Sequence, residues 1–199
     1  MARTKAQQRA ETTAALLKQA RKLFAARGYG DVGLTEIAEA AGVTKGALYH
    51  YFGSKQGIFR AVVESIQREV GEKVVRAADV AEDPWDQFVA GCVEFLRASS
   101  RPRVRRILLI DAPSVLGWNE WRAMDEANSA RHLREALASL IEAEILPSQP
   151  IEPLTRLLSG AMNEAALWLA DSRADLPQVV AALTDLLAGL RTAPGITRD

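Results

Sequence analysis

The chain has 199 residues, 48% of them hydrophobic and 25% charged, which fits an ordinary globular protein of one large domain or a small module joined to a larger one. Net charge is zero, but residues 1–60 hold ten Lys and Arg against four acids, a net +6, while residues 61–199 hold fifteen against twenty-one, a net −6. A basic end on an acidic body suits an encounter with a polyanion, and the single cysteine, Cys92, excludes an intrachain disulfide and a cysteine metal cluster.

The opening MARTKAQQRAETTAALL has no apolar core of signal-peptide type, and no stretch approaches the ~20 apolar residues of a membrane span. A cytoplasmic protein with no membrane partner is expected.

Apolar spacing is helical nearly throughout. Leu16, Leu17, Ala20, Leu23 and Phe24 form the stripe of a first helix that stops at Gly28. Leu34, Ile37, Ala38 and Ala41 form a short second helix closed by Gly42, and Thr44 suits the N-cap of a third, Lys45 to Tyr51. Gly53 breaks the chain and Ser54 can cap a long fourth helix, residues 55–78. Asp83-Pro84 opens a helix bearing Phe88, Cys92, Phe95 and Leu96, and Arg101-Pro102 ends it. The apolar run Ile107–Ile110 is short enough for a strand, but no partner strand is visible, so helix is expected. A helix with Leu133, Leu137, Leu140 and Ile141 stops before Pro147. Two more carry Leu154 to Leu169 and Leu176 to Leu190, with a tail from Ala193 expected to fray. The fold class is therefore all-α, with about nine helices.

The informative stretch is LTEIAEAAGVTKGALYHYFGSK, Leu34 to Lys55. Two short helices meet at Ala41-Gly42-Val43, where Gly42 permits a turn that a Cβ would oppose. Ile37, Val43, Leu48 and Phe52 fall where a small core must form. Lys45, Ala47, Tyr49, His50 and Tyr51 are left near or on the outward faces. This is the pattern of a helix-turn-helix, whose second helix enters the major groove of double-stranded DNA. Duller roles compete: Tyr49 and Tyr51 can pack against neighbouring helices, and Lys45 can be a solvated charge. The basic arm Arg3, Lys5 and Arg9 can reach the minor groove or be merely solvated.

Residues 9–60, with the Ile37-Ala38 and Ala41-Gly42-Val43 core and Leu48-Tyr49-His50-Tyr51-Phe52 followed by Lys55, resemble the DNA-binding domain of the TetR family of regulators. The resemblance implies a three-helix DNA-binding domain, residues 1–60, and a helical effector-binding and dimerisation domain, residues 61–199. It implies that Lys45 and Gly46 approach bases or phosphate and that Tyr49 and Tyr51 contact phosphate. His50 faces the groove, and Lys55 meets the backbone at a helix N-terminus that also attracts anions. Thr44 resembles a cap with a second duty to phosphate. Where the family often has a hydroxyl cap this chain has Gly33, which supplies no side-chain bond, so Thr35 is the nearest substitute.

The same resemblance implies a homodimer built on the last two helices, with Leu157, Ala161, Ala165, Val180, Leu183 and Leu187 as interface candidates, although several of these must be intramolecular core. It implies a small hydrophobic effector. Phe88, Cys92, Phe95, Leu109, Trp118, Trp121, Met124, Met162 and Trp168 are the bulky candidates for its pocket, with Asn163 and Glu164 as polar anchors. Such residues at helical spacing are more often core. A ligand-released repressor of a near-palindromic operator follows from the resemblance. No nucleophile, metal or phosphate-loop motif points to an enzyme, so no catalytic residue, metal or cofactor is expected. His132 reads as a solvated residue.

Overall fold

The computed structural model describes residues 4–169 and 175–191, so Arg3 and the tail from Ala193 lie outside the described residues. Among the described residues there are eleven α-helices, one π-helical stretch and no strand. The helix count exceeds the expected nine because residues 102–126 are divided into short pieces rather than one or two rods. No described helix is long and apolar enough to cross a membrane.

The chain divides into two compact units. The first holds the chain up to Ile66 together with Pro102–Trp121. It contains α1 (Lys5–Arg27), α2 (Leu34–Ala40), α3 (Lys45–Phe52) and the first half of α4 (Lys55–Ala78). It also contains α6 (Pro102–Arg105), the π-helical stretch Arg106–Asp111, α7 (Ala112–Leu116) and the start of α8 (Trp118–Glu126). Chain order alone leaves residues 102–121 with the C-terminal half, whereas the fold gathers them around α1.

Local chemistry explains the boundaries of this unit. Thr4 caps α1 in a reciprocal pair with Gln7, and Gly28, at φ 85°, ends it in a conformation that a side chain would strain. Gly33 caps α2 without a side-chain bond, as its missing hydroxyl requires. The Thr44 hydroxyl accepts from the Ala47 N–H at 3.2 Å, and the Ser54 hydroxyl accepts from the Gly57 N–H at 2.9 Å, so both hydroxyls cap as the sequence suggests. Leu16, Ala20, Phe24, Ile37, Ala38, Leu48, Ile58 and Phe59 are buried. Phe24, Tyr29 and Phe59 form a three-ring cluster, with centroids 4.9–5.8 Å apart.

The π-helical stretch fastens the end of α1. The Arg106 guanidinium donates to the carbonyls of Ala26 at 3.2 Å and Arg27 at 2.8 Å, where a cation also meets the negative end of the helix dipole. The Asp111 carboxylate accepts from the Tyr29 N–H at 2.9 Å. Trp121 is buried and its indole N–H donates to the Leu108 carbonyl at 2.7 Å.

The second unit holds Gln67–Arg101 and the described chain from Arg122. It contains the second half of α4, α5 (Pro84–Ser99), most of α8, α9 (Ser129–Glu142), α10 (Ile151–Trp168) and α11 (Leu176–Ala188). Asp83 and Asp175 cap α5 and α11, each followed by a first-turn proline. α5 packs on α9, α10 and α11, and α9 packs on α10. Buried stripes at helical spacing make the joints: Phe88, Cys92 and Phe95 on α5, Leu133, Leu137 and Leu140 on α9, Leu154, Leu158 and Met162 on α10, and Val179, Leu183 and Leu187 on α11.

Candidate nucleic-acid interface

The turn between α2 and α3 is set by Gly42 at φ 69°, and the Val43 N–H reaches the Ala38 carbonyl at 3.0 Å. With Leu48 at 0% exposure, the opposite side of α3 is committed to solvent. Lys45, Gly46, Tyr49 and His50 are exposed there, Tyr49 by 45%. Ala47 and Tyr51 are half-buried on its flank, and Thr35 and Thr44 are exposed on α2 and at the α3 cap. Lys45 and Tyr49, one turn apart, form a pair with the ammonium 5.8 Å from the ring centroid.

Tyr51 and Lys55 are more tied than a purely outward reading implies. Tyr51 packs edge-on to His50 at 5.5 Å, and the Arg9 guanidinium lies 5.8 Å from its ring. Arg9 therefore bridges to α3, which the arm reading did not foresee. The Lys55 ammonium donates to the Gly30 carbonyl at 3.2 Å and sits 4.3 Å from the centroid of the Tyr29 ring. The carbonyl and the ring together fix the ammonium, whose three donors are not all spent on the one hydrogen bond. Burial raises the Tyr29 phenol above its ordinary pKa. Lys5 and Arg9 are exposed on α1.

Sequence reading missed two supports. A Cβ on Gly57 would stand 2.0 Å from the Phe52 carbonyl oxygen, so this close turn between α3 and α4 demands glycine. A glycine in the first turn of a strong helix was the visible signal. The second is Tyr29, which packs under Lys55 and against Phe59.

The second unit has a partly open cavity of about 260 Å³, lined from α4, α5, α9 and α10, with exposed Val75 and Asp79 at its rim. Phe88, Cys92, Phe95 and Met162, four of the expected pocket residues, line it together. The other five lie elsewhere. Leu109, Trp118 and Trp121 belong to the first unit, where Trp121 serves the Leu108 carbonyl and Trp118 is 62% exposed beside it, the rings 4.8 Å apart. Met124 is half-buried on α8 and Trp168 is 52% exposed on α10, neither of them on the cavity wall. Asn163 is buried and Glu164 exposed, and neither lines the cavity. Its polar wall is instead Gln87, Ser129, His132, Ser139 and Ser159, with exposed Asp79. His132 is half-buried beside Gly71 rather than solvated. Burial pushes the Cys92 thiol up to about 12, so it stays protonated and unreactive.

Of the interface candidates, Leu157 is 71% exposed, Ala161 is exposed and Ala165 half-buried, all on one face of α10. On α11, Leu183 and Leu187 are buried in the unit's own core and Val180 is half-buried, while Leu186 is 52% exposed.

A basic helix-turn-helix with a capped, outward-facing second helix, on an all-helical chain with a second cavity-bearing unit, defines a DNA-binding regulator. Residues 16–62 match the family model of bacterial regulatory proteins of the tetR family, and residues 85–190 match that of the tetracyclin repressor-like C-terminal domain. The chain is similar to the crystal structure of a TetR-family transcriptional regulator from Pectobacterium atrosepticum, at 38% identity and TM-score 0.77, over 96% of this chain and 100% of that one. It is 33% identical to the HTH-type transcriptional regulator AcrR of Shigella flexneri, over 74% of this chain and 73% of the relative. It is 27% identical to an HTH-type transcriptional regulator of Mycobacterium tuberculosis, over 89% of this chain and 88% of the relative. The chain belongs to the TetR family of DNA-binding transcriptional regulators.

Proposed function

We propose that this protein is a repressor that binds a near-palindromic operator as a homodimer and is released by a small apolar effector. The observation that carries the reading is α3: Leu48 is buried while Lys45, Tyr49 and His50 face solvent beside a turn closed by Gly42. Residues 1–60 do the DNA work, with Thr35, Thr44, Lys45, Gly46, Ala47, Tyr49, His50, Tyr51 and Lys55 as contacts. Residues 61–199 carry dimerisation and effector binding. Two α3 helices one helical turn apart, ~34–36 Å, would occupy successive major grooves.

The exposed α10 face of Leu157, Ala161 and Ala165, with Gly160 open beside it, supports the dimer. Leu183 and Leu187 support the core behind it. The effector occupies the cavity bordered by Phe88, Cys92, Phe95 and Met162. It releases DNA by binding the DNA-incompetent state better than the competent one. α4, which contributes to both units, is the lever. Nothing in this role calls for a cofactor or a catalytic step, and it belongs in the cytoplasm, where the DNA is.

A gel shift with duplex fragments from around the protein's own gene tests the reading. Binding is expected to weaken steeply with salt, and to vanish on combining Tyr49→Ala with Lys55→Ala in a protein whose melting is unchanged. Undiminished binding by that double variant would refute it.

A further inference from the structure

We infer that the cavity of the second unit takes an uncharged, mainly apolar molecule bearing one hydrogen-bond donor such as a phenolic hydroxyl, and rejects the matching carboxylate. The inference rests on the effector-binding role proposed for that unit and specifies the chemistry of its ligand.

Size and lining come first. At about 260 Å³ the cavity lies near the small end of the ~300–1,000 Å³ typical of ligand sites. Val74, Phe88, Phe95, Leu133 and Met162 offer an apolar bed. An apolar ring fits such a bed, which Phe88 and Phe95 help to form.

Charge decides the rest. No Lys or Arg stands among the described lining residues. The guanidinium behind the wall is Arg122, and it is already engaged. It reaches the Asp125 carboxylate at 3.2 Å, Glu126 at 3.6 Å and the Ser159 hydroxyl at 3.2 Å. Of the other lining donors, His132 already faces Glu135 at 3.6 Å and the Gln87 amide donates to the Ala81 carbonyl at 2.9 Å, so an entering carboxylate would give up water for a cation shared between two acids and for donors already engaged. The Asp125 carboxyl is itself raised above its usual range, by burial first and despite Arg122. This corner is already hard on anions.

The lining hydroxyl on this network is Ser159, 4% exposed. Its one proton is directed to Asp125, 3.4 Å away, and one lone pair takes the Arg122 N–H. A hydroxyl has two lone pairs, so Ser159 has an acceptor to offer and no donor. A ligand that donates is satisfied there, whereas one that can only accept is not. Asp79 is exposed and gives a cationic ligand no buried partner.

The test uses four probes of one shape on the full chain without DNA: para-butylphenol, para-butyltoluene, para-butylbenzoate and para-butylbenzylammonium. Isothermal titration is expected to show the phenol binding at least roughly a hundredfold tighter than the benzoate, and about tenfold tighter than the toluene. Ser159→Ala should bring the phenol-to-toluene ratio close to one and leave toluene affinity unchanged. Ala136→Trp, on the cavity wall, should abolish binding of all four. Equal or tighter binding of either ion overturns the inference, as does an unaltered ratio in Ser159→Ala. So does failure of all four probes to bind a protein that still shifts its operator, which leaves the DNA-binding role standing. A protein that binds the phenol as described but no duplex refutes the regulator role and leaves the cavity chemistry in force.

Discussion

The two units solve opposite problems with the same material. Around α1 to α3 the central apolar side chains close on one another: Phe24, Ile37, Leu48 and Phe59 are all at 0% exposure, and the Phe24–Tyr29–Phe59 rings fill the centre. The second unit has comparable stripes, yet leaves a cavity of about 260 Å³ between them. A surface that reads a duplex must be held in one shape, and the buried Phe24, Ile37, Leu48 and Phe59 supply that support. A unit that leaves such a cavity forgoes dispersion contacts along its walls.

The largest effect expected from that contrast concerns packing. Phe24→Ala should lower stability by about 3–5 kcal/mol, while Met162→Ala, whose side chain already borders empty space, should fall near the lower end of the ~2–5 kcal/mol range for its class. Urea denaturation of both variants measures the difference, and equal losses would erase the contrast. Next in size is Gly57→Ala. Its new methyl meets the Phe52 carbonyl, so a loss of about 1–3 kcal/mol should accompany weakened operator binding in a gel shift.

Single changes on the exposed face of α3 should separate binding from stability. Lys45→Ala and Tyr49→Ala should each weaken operator binding by about tenfold, with stability held within ~0.5 kcal/mol. Lys45→Ala should also reduce the salt slope of binding by about one, measured by titration at several ionic strengths.

The smallest effect is a pH dependence in the second unit. A carboxyl whose pKa is raised on folding, as burial does to Asp125, binds its proton more tightly in the native state. Its contribution to stability therefore falls as pH rises from about 4, the ordinary value, through the raised one, and the cost is complete above that. Relative to the parent chain, Asp125→Asn should gain melting temperature across that window and hold a constant difference above it. Thermal melts at stepped pH check the direction, and a difference that shrinks with rising pH contradicts it.

How far the sequence could be read differed between the units for a physical reason. The α2–α3 module was legible because its determinants are local: Gly42 for a positive φ, Thr44 for a cap, Leu48 four residues before Phe52 for one inward face. The same logic located α4 to α5 and α9 to α11, whose caps and prolines sit in the chain beside the turns they make. The pocket was only partly legible. Phe88, Cys92, Phe95 and Met162 were found by bulk alone, but bulk also pointed to Trp121, whose indole is spent on the Leu108 carbonyl.

The helical class, the short helix α3 and the outward face of Lys45, Tyr49 and His50 were legible in the sequence, because each follows from spacing within about one or two turns. Only the packing of the helices brings residues 102–121 around α1, sets Lys55 over Tyr29, and makes Ser159 and His132 border one cavity. Those arrangements join residues far apart in the chain. Which distant partner a side chain meets depends on how the helices pack, and periodicity names the face of a helix without naming what it faces.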